Sequence, residues 1–383
     1  MVGPNSERVA SLGPWVAADG EPYRLAQLQA LDPNGATKVT KFVQGIRTGN
    51  YGNALDLQMY QYGYSIYECN ASSTRYRMNK LSSGGANESG LLGYGYYDDL
   101  QTAFTAFEKR GVFMSVPIEK DFVAASGTDG GIIMWDPYGD EETDMWQFRW
   151  QGRTSGQLDG TPLAVAGGRL NRMSTNTRTT FPQFNGQWFH GLSASRLAAG
   201  PYVIKIEELD RAIGADGLLK STITVTRPDG TAETIDALDS IEHVMFCAIG
   251  TQFSAKNPAV SYPAGYNDNY NSVAPDGNNG MRYGQVTRMP ASIDFRTWKP
   301  AGWTGDESPL SLMRLVGRAW QKHGVMLVDM GGSMGIAAQT NDQARRNAMV
   351  ARLTSLNKLP GGYVQNMTLL PVEQIEACAV RTS

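Results

Sequence analysis

Carboxylates and histidines are the side chains best suited to proton transfer near neutral pH, and this chain carries three histidines, His190, His243 and His323. Glu242 and His243 stand side by side at the head of an apolar run. On a strand they point to opposite faces, so one of them turns inward toward a partner. Asp136 follows the apolar Ile132-Ile133-Met134-Trp135 run and precedes Pro137. Asp136, Glu242 and His243 are therefore the candidates for cleaving a glycan, where an acid and a base or nucleophile flank the sugar bond. Asp144, Glu207 and Glu208 are also available, and no spacing among them selects a pair. Asp140-Glu141-Glu142-Thr143-Asp144 offers hard oxygen ligands without the spacing of a calcium loop, so it reads as a solvated acidic loop and no metal is assigned. His190 lies close to Ser193 and Ser195, but no G-x-S-x-G elbow accompanies them. His323 falls at the C-terminal end of an expected helix, where a cation is favoured. Gly331-Gly332-Ser333-Met334-Gly335 lacks the lysine of a phosphate loop; no cofactor is expected.

A second set of residues could bind rather than react. Trp135, Trp146, Trp150 and Trp188 fall in one stretch, and Tyr60, Tyr62 and Tyr64 would share one face of an extended strand. Flat rings beside polar donors stack on the apolar face of a pyranose. These seven are the candidate glycan contacts. Core packing and subunit contact use the same residue types.

The elements that would position these groups are mostly strands. Ile132–Trp135 and Met145–Trp150 read as a hairpin across the acidic loop. Ser221–Thr226 and Thr231–Ile235 form another around Pro228-Asp229-Gly230, and Ile241–Ile249 is a strongly apolar strand. Lys38–Gly45, Val203–Ile206, Ile293–Phe295 and Met367–Pro371 are further expected strands, and Tyr23–Leu28 fits a strand or one helical turn. Asp98 or Asp99 caps an expected helix bearing Leu100, Phe104 and Phe107, ended by Gly111 before the strand Val112–Val116. Ser308-Pro309 opens a helix with Leu312, Leu315, Val316, Ala319 and Trp320 on one face, and Gly324 closes it. Val325–Val328 and Met334–Ala338 follow as strands around a Gly331-Gly332 turn. Glu207–Asp210 begins a short helix, and Asn341–Leu356 is helical with Ala344, Met349 and Leu353 inward. Residues 82–95 and 262–284 are long polar loops. The fold class is mainly β with a few helices (α+β): a β-sandwich or jelly-roll-like body over 1–287 and a C-terminal helix–strand unit over 288–383.

Length and charge bound the partners. The 383 residues suffice for a large core. Charged residues are 19% of the chain, below the roughly 25% of average soluble domains, which points to polar-neutral or protein-contacting surface. A net charge of −3 argues against general nucleic-acid binding. No run reaches the roughly 18 apolar residues of a membrane span, and the first residues do not read as a secretory leader. Cys69, Cys247 and Cys378 are widely spaced and read as buried free thiols.

Several short motifs together resemble a group of uncharacterised β-rich bacterial extracellular proteins and their phage-encoded, tail-associated relatives. They are Gly127-Thr128-Asp129-Gly130 before Ile132–Trp135 and Asp136-Pro137, then Met145-Trp146-Gln147-Phe148 and Ile241-Glu242-His243-Val244. Ile293-Asp294-Phe295 and the helix leading to Gly324-Val325-Met326-Leu327-Val328-Asp329 complete the set. The group commonly has Asp-Gly-His where this chain has Asp129-Gly130-Gly131, which implies that any activity resting on that histidine is lost here. The resemblance implies association with cell-surface glycans. The expectation is a virion (tail) or extracellular protein, made in the host cytoplasm without a signal peptide. It would be a structural, homo-oligomeric subunit contacting other virion subunits and host-surface glycan. The alternatives are a glycoside hydrolase or polysaccharide lyase acting on envelope glycans, and a purely structural virion subunit without ligand.

Overall fold

Alternation in one short stretch organises the molecule: in the strand Val325–Met330, Val325 and Leu327 face one apolar core while Met326 and Val328 face another. In this computed structural model the strand is inside a six-stranded mixed sheet, whose order is Leu55–Gln58, Met334–Ala337, Met245–Ile249, Val325–Met330, Val286–Arg288 and Glu376–Ala377. The structure describes residues 21–49, 54–70, 72–76, 79–80, 116–119, 121–150, 162–164, 166–171, 183–184, 187–188, 192–227, 230–331, 334–353, 359 and 365–382. Strands from both sides of residue 288 alternate within this sheet.

Helices cover one face. Gly35–Thr48 contributes Phe42 and Ile46, and Ser311–Lys322 contributes Leu312, Leu315, Val316, Ala319 and Trp320, all buried against Met245, Cys247, Ile249 and Leu327. Each such apolar side chain removed from water stabilises the fold by about 1.5–3 kcal/mol. The helix expected after Ser308-Pro309 is present, entered through a 3₁₀ turn at Ser308–Leu310. It ends where Gly324 takes φ +95°, a left-handed conformation that glycine adopts without steric cost.

A four-stranded sheet packs on the other face, in the order Ala166–Asn171, Glu141–Trp146, Gly131–Asp136, Tyr64–Glu68. Its Ile66, Ile132, Met134 and Met145 share a core with Phe246, Met326, Val328 and Tyr202. Both sheets contain parallel pairs, whereas a jelly roll is antiparallel throughout. Tyr64 joins the two layers: its amide donates to the Ala338 carbonyl at 3.0 Å, and its carbonyl accepts from Thr340 at 2.9 Å. Asn341 extends the joint with its side-chain amide, donating to the Ile66 carbonyl and accepting from the Ile66 amide. The fold is α+β and mainly β.

Both hairpins form, as Gly131–Asp136 with Glu141–Trp146 and as Thr222–Thr226 with Ala232–Asp236. Ile206–Asp210 and Gln343–Ala351 are the expected short and C-terminal helices. Other expectations fail for local reasons. Lys38–Gly45 is helical, because Lys38, Phe42, Gly45 and Ile46 are buried at helical spacing despite the β-branched residues between them. Tyr23–Leu28 takes the helical-turn alternative rather than a strand, with a 3₁₀ turn at Ala26–Leu28 following one at Glu21–Tyr23. In 203–206 Ile204 makes only an isolated bridge to Ala338, and Ile206 already starts a helix. The apolar stretch 241–249 is a strand only from Met245.

Phe295 anchors a turn, with Asp294 capping Thr297 and Trp298, so 293–295 is not a strand. Residues 367–371 form turns. Val325–Met330 and Met334–Ala337 are not a hairpin, since Met245–Ile249 lies between them. Ala344 is exposed and Arg346 takes the inward place, its Nη1 donating to the Met59 carbonyl at 2.7 Å. The expected helix after Asp98–Asp99, the 82–95 loop and His190 lie outside the described residues. Cys69, Cys247 and Cys378 are buried free thiols, and among the described residues no helix is long and apolar enough to cross a membrane.

Candidate functional site

Asp329 sits where the central strand is irregular. Cys247 pairs with Leu327 and the next residue, Ala248, pairs with Asp329, so Val328 is an extra residue on its strand. A bulge of this kind re-aims the side chain that follows it. The segment 193–196 crosses here: the Ser195 amide donates to the Val328 carbonyl at 3.0 Å, and the Ala194 amide donates to Asp329 Oδ2 at 3.2 Å.

Two further aspartates converge on this point from distant parts of the chain. Asp129 occupies the turn before Gly131–Asp136, and the Trp146 indole hydrogen-bonds its carboxylate. Asp268 lies in the long loop after cis-Pro263, where the Tyr283 hydroxyl donates to its Oδ1 at 3.1 Å. All three carboxyls are half-buried. Burial raises Asp329 well above the usual carboxylate range, and the nearby Asp268 and Asp129 push it further. Burial also raises Asp268, against the pull of the Tyr283 hydroxyl and the Arg196 charge. It raises Asp129 too, against its bond to Trp146. Tyr64 completes the group; burial and the carboxylates of Asp329, Asp129 and Asp144 hold its phenol well above its ordinary value.

Two of the four described non-glycine residues with positive φ border the cluster. Gln147 and Arg196 adopt φ +54° and +65°, a left-handed conformation that costs a non-glycine residue on the order of 1 kcal/mol and gathers at functional sites. Gln147 donates its amide to the Asp129 carbonyl, which ends the Glu141–Trp146 strand. The guanidinium of Arg196 stacks on the Tyr266 ring at 3.9 Å. Gly131 has no room for a side chain: a Cβ would lie 2.7 Å from Tyr64 Cδ1 and 3.0 Å from Leu192 Cδ2.

Of the residues singled out in the sequence, the structure brings Tyr64 and Trp146 to this cluster and scatters the rest. Asp136 forms an Asx turn, accepting the Tyr138 and Gly139 amides at 3.0 Å each. Glu242 is held by Arg227. His243 is buried, with Nδ1 on the Val244 carbonyl at 2.8 Å and Nε2 3.3 Å from Glu208. His323 is no helix-end cation: burial, with His243 close by, lowers it to about 3, so it is neutral. Ser193 and Ser195 pair with each other at 2.7 Å.

Among the aromatics, Trp135 and Trp150 are core residues; the Trp150 indole donates to the Phe122 carbonyl and packs edge-on against Phe148 and Tyr76. Trp188 lies on the short strand Gln187–Trp188. Tyr60 and Tyr62 do not continue the Tyr64 strand: they occupy the bend before it, Tyr62 at φ +59°, and both remain exposed. Of the acidic loop, Asp140 stays in the turn, while Glu141–Asp144 belong to the buried strand Glu141–Trp146, with Glu142 and Asp144 at 0% exposure.

Asp129, Asp268 and Asp329 are single aspartates without a shared motif, and only their tertiary placement unites them. Two weak signals preceded them. Asp129 lies within the Gly127–Gly130 motif, Asp329 ends the Gly324–Asp329 motif, and Asp268 lies in the long polar loop 262–284. A raised carboxyl beside others that can ionise is the arrangement for one acid and one base. Compared with protein-family models, curated proteins and solved structures, the chain matches none.

Proposed function

We propose that the protein engages bacterial envelope glycan at the Asp129–Asp268–Asp329 cluster and cleaves it by acid-assisted hydrolysis, as a virion tail or extracellular component. The observation that carries this reading is the grouping of three half-buried carboxyls, with the charges of Asp129 and Asp268 acting on Asp329 and with Tyr64 and Trp146 as neighbours. Asp329, raised furthest, is the proton donor to the leaving glycosidic oxygen. Asp268, drawn down by the Arg196 charge and bonded by the Tyr283 hydroxyl, serves as base or nucleophile. Trp146, half-buried beside the cluster and fixed by its bond to Asp129, is the aromatic residue a sugar would meet.

Glycan contact without cleavage, by a structural tail subunit, is the second reading. Tyr138 and Tyr270 favour it, being 70% and 56% exposed, as stacking or subunit-contact surfaces require.

Purified protein incubated with host envelope polysaccharide is expected to release new reducing ends. Asp329→Asn and Asp268→Asn are expected to lower that rate by about 10²–10⁴-fold while glycan retention in affinity electrophoresis is unchanged. Retention without reducing ends or unsaturated product, in wild type as in the variants, would leave the binding reading alone. Neither retention nor product would refute both.

A further inference from the structure

We propose that Glu142 and Asp144 form a proton-sharing latch that clamps residues 192–202 onto the four-stranded sheet and loosens when the shared proton leaves. The two residues are i and i+2 on one strand, so their side chains lie on the same face. Both are completely buried. Each grips the crossing segment with one oxygen: Glu142 Oε1 accepts the Gly200 amide and Asp144 Oδ2 accepts the Ala199 amide, both at 2.8 Å. The Leu192 amide adds a further bond to Asp144.

The remaining oxygens, Glu142 Oε2 and Asp144 Oδ1, meet no N–H or hydroxyl donor of the protein. The carboxyls instead face each other on the same side of the strand, close enough to act on one another, and two carboxyls can join directly only through a shared proton. Ionising both would place like charges in contact away from water. Burial accordingly raises Glu142 to about 7, and burial with the Glu142 charge raises Asp144 well above the carboxylate range.

Among the described residues, the groups acting on the pair come from two sides. Lys205 stands toward Glu142 and is itself shared with Glu208 and neighboured by Arg211. Tyr64 stands toward Asp144, with Asp129 and Asp329 beyond it. Lys205 draws Glu142 down, but burial outweighs it. The latch matters to the cluster because the clamped segment carries the Ala194 amide that binds Asp329 and the Arg196 side chain beside Asp268. The latch does not depend on the glycan reading.

The sign of the pH dependence follows from linkage. A carboxyl raised in the closed state keeps its proton where the open state has lost it, so closure weakens as pH rises. Glu142 supplies the first part of the window, from its ordinary 4.5 to about 7, and the proton left on Asp144, raised well above the carboxylate range, carries the window higher. Hydrogen exchange of the Ala199 and Gly200 amides, corrected for intrinsic chemistry, is expected to report opening that grows about tenfold or more per pH unit from pH 4.5 to about 7 and keeps growing above 7 while Asp144 holds the last proton. Glu142→Gln supplies a permanent N–H to Asp144 and keeps an oxygen for Gly200, so its opening is expected to vary far less with pH. Asp144→Asn is the mirror variant and serves if the first does not fold. A difference infrared spectrum, wild type minus either variant, is expected to show a protonated-carboxyl stretch at pH 6. Wild-type opening that is flat across the window, or a difference spectrum without that band, would overturn the latch.

Discussion

Asp32 and Asp329 are both carboxyls drawn into the protein, and they end in opposite states. Asp32 receives the Lys38 ammonium at 2.7 Å, the Gln285 amide at 2.7 Å and the Asn34 backbone N–H at 2.8 Å. Burial pushes Asp32 up, but these bonds outweigh it and hold it below the usual range. Asp329 has two backbone amides, from Ala194 and Met330, and faces two other aspartates; it is raised. The difference shows what each region is built for. A buried charge with a cation and full hydrogen bonding joins elements, here the Gly35–Thr48 helix to the edge of the six-stranded sheet through Gln285 and the Cys378 carbonyl. A carboxyl gathered with its own kind is held ready to give up a proton, at a cost to stability.

The comparison can be broken most sharply at Lys38. Lys38→Met strands a buried carboxylate, and is expected to cost about 3–5 kcal/mol in denaturant unfolding at neutral pH. Adding Asp32→Asn is expected to restore most of that loss. A Lys38→Met cost below about 1 kcal/mol would mean the pair joins nothing.

Glu208 sharpens the contrast as a second cation-supplied carboxyl. Burial raises it, but His243 and Lys205 outweigh that and bring it down to about 2. A lowered carboxyl contributes stability above its unfolded value and loses it as the pH falls. From the ordinary 4.5 to about 2, the contribution at neutral pH is about 3 kcal/mol. Glu208→Gln is expected to lose that at pH 7 and nearly match wild type near pH 2, read by unfolding at both pH values. A difference independent of pH would show that packing, not charge, is what Glu208 supplies.

The smallest effect is expected at Asp329 itself. A raised carboxyl keeps its proton in the folded state where the unfolded chain has lost it, so wild-type stability falls as pH rises above the aspartate range. Asp329→Asn lacks that loss. It is expected to equal or exceed wild type by about 1 kcal/mol at pH 8, with the advantage shrinking at pH 5. A variant less stable than wild type at pH 8 would make Asp329 a structural anchor.

The parts legible in the sequence are those whose signal is local. Ser308-Pro309, the apolar face from Leu312 to Trp320 and Gly324 sit within one helix, and each end carries its own chemistry. The Thr222–Thr226 hairpin alternates openly, Ile223 and Val225 inward and the threonines outward. Signals failed where burial overrode residue type. Glu141, Glu142 and Asp144 looked like a solvated loop because charge usually marks the surface. Here backbone amides from 199 and 200 and a shared proton make burial tolerable. Lys38 is likewise interior because Asp32 waits for it.

Local periodicity and turn chemistry alone determined that this chain is mainly β with a few helices, since those signals act within about a dozen residues. Tertiary structure alone decided which carboxyls share a proton and which meet at the cluster. Asp129, Asp268 and Asp329 lie far apart in the chain, and a carboxyl's chemistry is set by the charges, amides and water around it.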